Sequence, residues 1–365
     1  PRYAYEIESG YHTNQAGKIN ITFLEGTKEY KAGDTIYYTS QQEIGTDVLT
    51  NASGEGNWNE HPAFTYGEDI IEGIWVAKFE ASSTTTTPDE NYGGGNVTNL
   101  YVKILPGKQA WRNIILENIY INCVNMNSTS NASYYGINAD DNHIDPHLIK
   151  NSEWGAVAYL TQSSYGRNEN QLTPNTNGYG NLKYIYTGYA GEGTSAGNPS
   201  DATTKPTNVH YYNTKEGGLA STTGNITGIY DMSGGSWERV AGYVNNGDSK
   251  LTNGQALLNA PDKYKQVYEA ITSSGTAATT GNDDQSKNYE KMATIYGDAV
   301  YETSSISNES NSWYGDYSRC PYSNTPFFAR GGGYYYYDNA GIFCFSNTAS
   351  ANDVLNSFHP TIVVY

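Results

Sequence analysis

The stretch GIYDMSGGSWERV, at residues 228–240, places the strongest local constraints on the fold. Its glycines permit tight turns beside the bulky Trp237, because glycine adopts backbone conformations that are closed to other residues. Asp231 and Glu238 can accept hydrogen bonds from turn amides. Glu238 is also a candidate catalytic acid, but a lone carboxylate next to a tryptophan is usually a structural acceptor. The residue types therefore favour a structural role for this stretch.

Strand-like segments lie on both sides of this stretch. They combine β-branched or aromatic residues with flanking turn residues, which is the pattern of short strands. The upstream segments are residues 18–24, 73–80 and 97–105, and the downstream segments are residues 325–330, 342–345 and 358–365. If residues 341–345 form a strand, Phe343 and Phe345 face the core, and Ile342 and Cys344 face the opposite side, because side chains alternate along a strand. The alternative is that both faces of this strand are buried, so that Ile342 is buried as well.

Helical spacing occurs in three places. Steps of four, four, four and three put Trp111, Ile115, Ile119, Cys123 and Met126 on one helix face. A second helix is predicted at residues 151–162, with Asp145 and Pro146 as a cap and first-turn proline ahead of it. A third is predicted from Pro261 to about Ile271. The polar stretch at residues 82–96 is predicted to be a loop, and those at 163–224 and 273–286 are predicted to be insertions on the scaffold.

Composition narrows the classes of function. The chain has 365 residues with 37% hydrophobic and 16% charged residues, which fits neither a disordered polyelectrolyte nor a membrane protein. The net charge of −17 repels phosphate backbones and anionic lipid, so we expect no nucleic-acid partner and no membrane insertion. Tyrosine makes up 35 residues, and together with Gly, Ser and Asn it is typical of adaptable recognition surfaces.

The cysteines and the histidines give weaker signals. Three widely spaced cysteines, Cys123, Cys320 and Cys344, form neither a disulfide framework nor a CxxC motif. His143, Asp145 and His147 alternate in a way that could place three zinc ligands on one side of a strand. Pro146 and the helix that follows favour a capping Asp with two surface histidines instead. The chain opens at Pro1 on strand-like sequence, so we expect a piece of a longer protein and infer no compartment from the missing leader.

Four segments in order resemble one known family. They are GIWVAKFE (73–80), EWGAVAYL (153–160), GIYDMSGGSWERV (228–240), and RGGG (330–333) followed by SFHPTIVVY (357–365). Together they resemble the formylglycine-generating, sulfatase-modifying enzymes, whose fold is an elaborated C-type lectin fold. More narrowly, they look like the variable proteins of diversity-generating retroelements, which use that fold to display a hypermutated binding site. The resemblance covers most of the chain from about residue 60 onward.

The resemblance also implies which chemistry to expect. Formylglycine formation uses a closely spaced cysteine pair shortly after the RGG motif, and this chain has only Cys344 there. We therefore expect no enzymatic activity. The related enzymes bind calcium near the corresponding tryptophan and glutamate, but Gly235 stands where they commonly have Asn. Calcium is thus a candidate structural ion, and no other cofactor is expected.

In retroelement systems the adenines of a template are randomised. Asn codons ending in a pyrimidine then diversify widely but never encode Lys, Glu, Gln, Met or Trp. These five types account for 54 of the first 330 residues and for none of the last 35. A chance fluctuation, or a strand end poor in charge, is the alternative explanation. The tyrosine run at residues 334–337 and the polar run at residues 346–350 favour the codon explanation.

These observations predict an α+β protein with a C-type lectin fold of the formylglycine-generating-enzyme type and long polar insertions. Residues 1–60 are expected to be a strand-rich portion packed on the main domain, and residues 61–365 a lectin-like domain with a variable region at about 331–360. The predicted ligand-binding face consists of Gly333, Tyr335, Tyr336, Asp338, Asn339, Ile342, Cys344, Ser346, Asn347, Thr348, Asn352, Asp353, Leu355 and His359.

The predicted function is binding: a receptor-binding or adhesin protein at a cell surface, on a pilus or on a phage tail, outside the cell. Its partner would be a protein or glycan on another cell or host surface. The alternatives are an oxidase of the formylglycine-generating type and a carbohydrate-binding lectin of fixed specificity.

Overall fold

Short strands and short helices alternate along the part of the chain that the structure describes. The computed structural model describes residues 59–84, 94–137, 143–168, 170–176, 209–245, 249–270, 281–305 and 311–364, with short strands at 4–7, 19–22, 37–38 and 184–186. This mixture is an α+β fold, as the sequence predicts. None of the helices in this part of the chain has the length and the apolar character of a membrane-spanning segment.

The strands are short, and most have two to five residues. In chain order they are β1 (Ala4–Ile7), β2 (Ile19–Thr22), β3 (Tyr37–Tyr38), β4 (Asn59–Glu60), β5 (Thr65–Tyr66), β6 (Asp69–Ile70), β7 (Ile74–Val76), β8 (Ser82–Ser83), β9 (Val102–Lys103), β10 (Ile144–Leu148), β11 (Tyr184–Tyr186), β12 (Val209–Tyr211), β13 (Trp237–Asn245), β14 (Gln266–Glu269), β15 (Phe327–Arg330), β16 (Phe345–Thr348), β17 (Asn356–Phe358) and β18 (Pro360–Val364). The α-helices are α1 (Leu116–Val124), α2 (Ala132–Tyr135), α3 (Asn151–Gln162), α4 (Gln255–Leu258) and α5 (Gly281–Lys291).

The central sheet is built on β13, the longest strand described. Its order is β14-β13-β15-β16, and β17 also pairs with β13. Eight of the nine residues of β13 are buried, so both faces of the strand lie in the core. Val240 and Val244 face a core cluster that includes Trp154 of α3. Ala241 and Tyr243 face a second cluster, which α1 covers.

A smaller antiparallel sheet has the order β10-β18-β7. Strand β18 directly follows β17, so the C-terminal segment crosses from the central sheet into the small one. Val363 of β18 is buried beside Ala156 of α3. Strands β1 to β4 form a separate sheet in the order β2-β1-β3-β4. The predicted domain boundary at residue 60, and the packing of the N-terminal portion, stay predictions.

Helix α3 is confirmed at residues 151–162, but the predicted cap ahead of it is wrong. Asp145 and Pro146 lie in β10, where they pair with β18. The cap is Lys150, whose backbone N–H donates to the Glu153 carboxylate at 2.8 Å. The helix predicted from Trp111 is present as α1 but begins at Leu116. Trp111 itself is held outside the helix because its backbone N–H donates to the carbonyl of Ala81.

The third predicted helix is wrong. Residues 262–264 form a single 3-10 turn, and β14 follows as a strand parallel to β13. Tyr268 is buried and Val267 is exposed, so burial alternates from residue to residue as in a strand, although the apolar residues also fit a helical spacing. Strand pairing with β13, together with the hydrogen bond from the Tyr268 hydroxyl to Asp298 at 2.7 Å, fixes the extended conformation.

Five of the six predicted strand segments contain strands: β2, β7, β9, β15 and β18, with β17 also reaching the last segment. The segment at 342–345 is wrong, because the strand there begins at Phe345 and residues 341–344 form a turn. The predicted insertions at 163–224 and 273–286 and the loop at 82–96 lie partly outside the described residues, at 85–93, 169, 177–183, 187–208 and 273–280.

Buried arginines tie loops to the central sheet. The Arg239 guanidinium on β13 donates to the carbonyls of Ile114 and Ser350 at 3.4 and 3.1 Å, and also to that of Ala351. Arg330 on β15 donates to the carbonyls of Asp298 and Ala299. A buried charge is tolerated only when it is hydrogen-bonded, so each guanidinium fixes the chain segments around it.

We predict that Arg239→Met destabilises the protein by about 3 kcal/mol, because it leaves buried carbonyls without a donor. Urea unfolding monitored by tryptophan fluorescence measures the change. Arg319→Met is the matched control, since it removes a guanidinium from a half-buried position, and we expect it to cost under about 1 kcal/mol. Equal losses in the two variants would contradict the role given to Arg239.

Candidate ligand-binding surface

One face of the central sheet carries the candidate site, which we call the front face. Arg239 of β13 lies opposite Ala329 of β15, and Ala329 lies opposite Ser346 of β16. Directly opposed side chains in an antiparallel ladder share a face, and residues two apart in a strand share it as well. Trp237, Ala329 and Ser346 therefore project to the same side, while Glu238, Phe328 and Phe345 project to the other.

Aromatic rings gather around Trp237 on this face. We define the tyrosine cluster as Tyr317, Tyr335 and Tyr336 together with Trp237. The Tyr336 ring centroid lies 5.1 Å from that of Trp237, 5.2 Å from Tyr317 and 4.8 Å from Tyr335. Trp237 and Tyr317 are buried, whereas Tyr335 and Tyr336 are half-buried. The two outer tyrosines thus rest on a buried aromatic base.

A hydrogen bond fixes one of the outer tyrosines. Trp237 hydrogen-bonds through its side chain to Tyr335, and indole N–H is a donor only, so the Tyr335 hydroxyl accepts. Burial raises the pKa of Tyr335, the Trp237 donor lowers it, and the nearby charge of Asp353 raises it again. Gly333 makes the contact sterically possible, since a Cβ at that position would lie 2.8 Å from the Tyr335 ring and 3.2 Å from the indole.

The loop that carries these tyrosines is held by buried backbone bonds. Its Tyr334 N–H donates to the Gly235 carbonyl at 2.7 Å, and its Asn339 carbonyl accepts the Tyr317 N–H at 2.8 Å. The Trp154 indole donates to the Ile342 carbonyl at 2.7 Å. These bonds order the loop from three different parts of the chain, so the surface is preorganised.

The buried Asp316 anchors the far end of the loop. Its carboxylate accepts the Phe343 N–H at 2.9 Å. A Cβ on Gly341 would lie 1.9 Å from one Asp316 oxygen and 2.0 Å from the other, so only glycine fits beside it. Burial raises the pKa of Asp316 to about 8, although the Phe343 amide and then Arg330 act in the opposite direction.

A second loop borders the cluster. The Leu355 carbonyl accepts the Trp237 backbone N–H at 2.9 Å, and the Asp353 carboxylate accepts the Leu355 N–H at 2.8 Å. Asn352 lies further out and donates to the side chain of Asn113 at 2.7 Å. The backbone hydrogen bond of Trp237 to Leu355 thus connects this loop to the base of the tyrosine cluster.

Most of the predicted ligand-binding residues have solvent-accessible side chains. Two of them, Asp338 and Asn352, are exposed. Seven are half-buried: Tyr335, Tyr336, Asn339, Ser346, Asn347, Asp353 and Leu355. Asn347 is accessible, but it lies on the opposite face of β16 from Ser346 and donates to the Cys320 carbonyl at 3.2 Å. The structure thus brings Tyr335, Tyr336, Asp353 and Leu355 together around Trp237 and places Asn347 elsewhere.

The other five predicted residues are buried, so their assignment to an exposed face is wrong: Gly333, Ile342, Cys344, Thr348 and His359. Ile342 and Cys344 do not project from a strand, because residues 341–344 turn. Ile342 enters the core cluster of Trp154 and Phe328, and Cys344 packs beneath the tyrosine cluster. Phe343 and Phe345 are buried, as expected.

Thr348 and His359 have internal partners. The Thr348 hydroxyl accepts from the Asn356 amide at 3.1 Å. His359 Nδ1 contacts the Glu238 carboxylate, and both side chains are fully buried. Gly333 is buried because the rings of Tyr335 and Trp237 occupy the space that a side chain would need.

The sequence interpretation missed Trp237 and Tyr317 as parts of the site. The sequence favours a structural role for the whole stretch at 228–240. A strand over its end would place Trp237 and Glu238 on opposite faces, and this alternation was the available signal. Tyr317 lies outside the segment that lacks the five residue types. It reaches the cluster through the bridge between Ser318 and Phe345, a tertiary contact that no local pattern indicates.

Glu238 does not bond turn amides as predicted. Burial raises its pKa well above the ordinary value, with Asp231 adding to the effect, and His359 is its partner. Asp231 does act as predicted, since it accepts the Glu80 N–H at 3.3 Å, and it also accepts from the Asn175 amide at 2.9 Å. Glu238 faces away from the tyrosine cluster and is shielded from solvent. A catalytic acid, in contrast, has to reach its substrate.

The predicted roles of Asp145 and His147 are wrong. His147 is buried and its Nε2 lies 2.8 Å from Glu153, so it is not a surface histidine. The Asp145 carboxylate pairs with Lys263 at 2.6 Å and accepts the Tyr264 hydroxyl at 2.7 Å. Within the described ranges, no three His, Cys, Asp or Glu side chains are arranged to hold a metal ion.

Calcium beside Trp237 stays a prediction that the local side chains do not favour. Glu238 is engaged with His359, and the Glu80 carboxylate accepts the Ser236 N–H at 2.5 Å. Gly235 has no side chain to serve as a ligand, and a Cβ there would lie 2.4 Å from Glu80. The carboxylates near this turn thus have protein partners.

Comparison with known protein families and with curated protein sequences gave no match to this chain.

The Asp316 anchor makes stability depend on pH. Below a pH of about 8 the folded carboxyl holds a proton that the unfolded chain, with an ordinary pKa of 3.8, releases above about pH 4. The folded state therefore binds more protons in this window, and stability falls as pH rises, by up to about 1.4 kcal/mol per pH unit.

We predict that Asp316→Asn flattens the fall in melting temperature between pH 5 and 8 (roughly the window between the two pKa values). The amide keeps an acceptor for the Phe343 N–H but does not titrate. Thermal unfolding followed by circular dichroism across the pH range is the measurement, and Asp338→Asn, at an exposed position, is the control. An unchanged slope in Asp316→Asn would show that this carboxyl is not the titrating anchor.

Proposed function

We propose that this chain is a ligand-binding protein whose binding surface is the tyrosine cluster with the adjoining loops at 338–339 and 352–355. The observation that carries the proposal is the placement of two half-buried tyrosines, Tyr335 and Tyr336, on the buried ring of Trp237. Tyrosine offers a large contact area and a polar tip at low entropic cost. A rigid aromatic base under adaptable polar side chains is what a binding surface needs.

We further propose that the scaffold is a C-type lectin fold of the elaborated type and that the surface is diversified by a retroelement. Residues 331–365 lack Lys, Glu, Gln, Met and Trp, and within this segment accessible residues are interspersed with core residues. Tyr336, Asp338 and Asn352 reach solvent, while Phe343 and Phe345 are fully buried. Such a division lets surface residues change while the core residues keep the fold. The proposed partner is a protein or glycan on another cell or host surface, met outside the cell.

The alternative oxidase function has less support from the geometry. Cys344 is fully buried, and burial raises the pKa of its thiol well above the ordinary value, so it is a neutral thiol shielded from substrate. Thiol chemistry needs an accessible thiolate. A lectin of fixed specificity is distinguished from the leading proposal by the absence of a genomic template repeat.

We predict that the surface accepts diversification and yields binders. A display library would randomise Tyr336, Asp338, Asn339, Ser346, Asn352, Asp353 and Leu355, and would be selected against several unrelated target proteins. Tyr335 is kept, because its hydroxyl accepts the Trp237 indole N–H. Because these residues rest on a fixed core, most members should keep the parent's melting temperature within a few degrees, roughly the shift of a 1 kcal/mol change. Specific binders should emerge against most targets.

The matched control library randomises exposed residues outside the surface: Asn213, Lys215, Glu216, Leu219 and Ile226. It should fold equally well and give few binders, since it lacks the aromatic base. Equal yields from both libraries, or widespread unfolding of the first, would refute the proposed surface. Retroelement origin has its own test, namely a genomic template repeat that differs from the coding repeat only at adenines and lies beside a reverse transcriptase gene.

A further inference from the structure

The charges around the tyrosine cluster indicate what the parent sequence binds. Residues 331–365 contain two carboxylates, Asp338 and Asp353, and neither Lys nor Arg. Asp338 is exposed, and Asp353 is half-buried with its charge acting on Tyr335. Randomised adenines in Asn codons exclude Lys but permit both Arg and Asp, so the absence of Arg is not a consequence of the codons. The accessible charge that this segment contributes to the surface is negative.

The guanidinium groups of Arg239 and Arg112 lie near Asp353 and offset part of its charge, but both are buried, whereas Asp338 is exposed. Arg239 lies on the front face and interacts with Asp353, but it is buried and its guanidinium donates to backbone carbonyls. Arg330 projects to the opposite face, where it donates to the carbonyls of Asp298 and Ala299. Arg319, two residues after Tyr317, is half-buried. A ligand that approaches the outer tyrosines thus meets aromatic rings and carboxylates together.

Aromatic rings and carboxylates recognise the same chemical group. A cation near a tyrosine ring is attracted by the ring quadrupole, and a carboxylate adds direct ion pairing. We infer that the parent surface binds an arginine or lysine side chain presented by a protein partner, with Tyr335 and Tyr336 in contact with its stem and cation and with Asp338 and Asp353 as counter-charges. The inference rests on the proposed function and names the ligand chemistry for the same surface. The net charge of −17 adds long-range attraction for such a partner.

The test uses four synthetic peptides that share one Gly/Ser sequence and differ at two positions, which hold arginine, lysine, citrulline or glutamate. Citrulline has the shape of arginine without its charge. Affinity for the whole chain is measured by biolayer interferometry at two salt concentrations. We expect the arginine peptide to bind about tenfold more tightly than the citrulline peptide and the glutamate peptide not to bind, with weaker binding at high salt.

Variants separate this site from the general attraction of an acidic protein. Asp338→Asn and Tyr336→Leu should each weaken arginine-peptide binding at least threefold, roughly the loss of one such contact. Asp262→Asn removes the same charge from a side chain that is 98% exposed elsewhere, and it should have no effect. Because Asp338 is exposed, its variant remains informative even if Tyr336→Leu fails to fold.

Three outcomes would overturn the inference. The first is equal affinity for the arginine and citrulline peptides, and the second is equal effects of Asp338→Asn and Asp262→Asn. The third is displacement of the peptide by free arginine at the same molar concentration as the peptide, which would assign the site to a small cation. The library selection above does not depend on ligand charge. If the libraries behave as predicted and the peptides do not, the proposed binding surface is supported and the inference of a cationic ligand is wrong.

Discussion

The fold depends on the burial of both faces of β13. A strand in this position must find a partner for every polar side chain that it carries, because an unpaired buried polar group is costly. Glu238 is paired with His359 on one face, and Arg239 donates to loop carbonyls on the other. Trp237 satisfies its indole N–H by donating to Tyr335 at the edge of the core. Core and surface are therefore connected through consecutive residues of a single strand.

This arrangement explains why the tyrosine cluster is ordered although it lies on loops. Trp237 contacts the loop at 333–344 through its side chain and the loop at 351–355 through its backbone N–H. Tyr317 adds a third chain segment to the same base. Loops that are fixed at several points lose little further entropy when a ligand binds, which favours affinity.

The sequence predicted those parts of the structure that local periodicity controls. Helix α3 was predicted with its observed bounds, since its apolar residues follow the helical period. At β14 the same spacing was misleading, because pairing with β13 overrode it. At residues 341–344 the β-branched and aromatic residues indicated a strand, but the Cys344 N–H donates to the Gly341 carbonyl and the Phe343 N–H donates to Asp316, which holds these residues in a turn. At the surface, Tyr335, Tyr336 and Asp353 were predicted correctly as accessible residues. Trp237 and Tyr317 were not, because tertiary contacts alone bring them there.

Gly341 limits how the C-terminal segment can evolve. Its backbone lies so close to the Asp316 carboxylate that any side chain would collide with an oxygen atom. A mutational process that treats the segment uniformly would therefore produce mostly non-folding proteins if it reached this codon. Diversity in the segment has to be interrupted by positions that do not vary, and the number of usable variants is set by where those positions fall. The carboxyl group of one buried aspartate outside the segment thereby limits which sequences the segment can adopt.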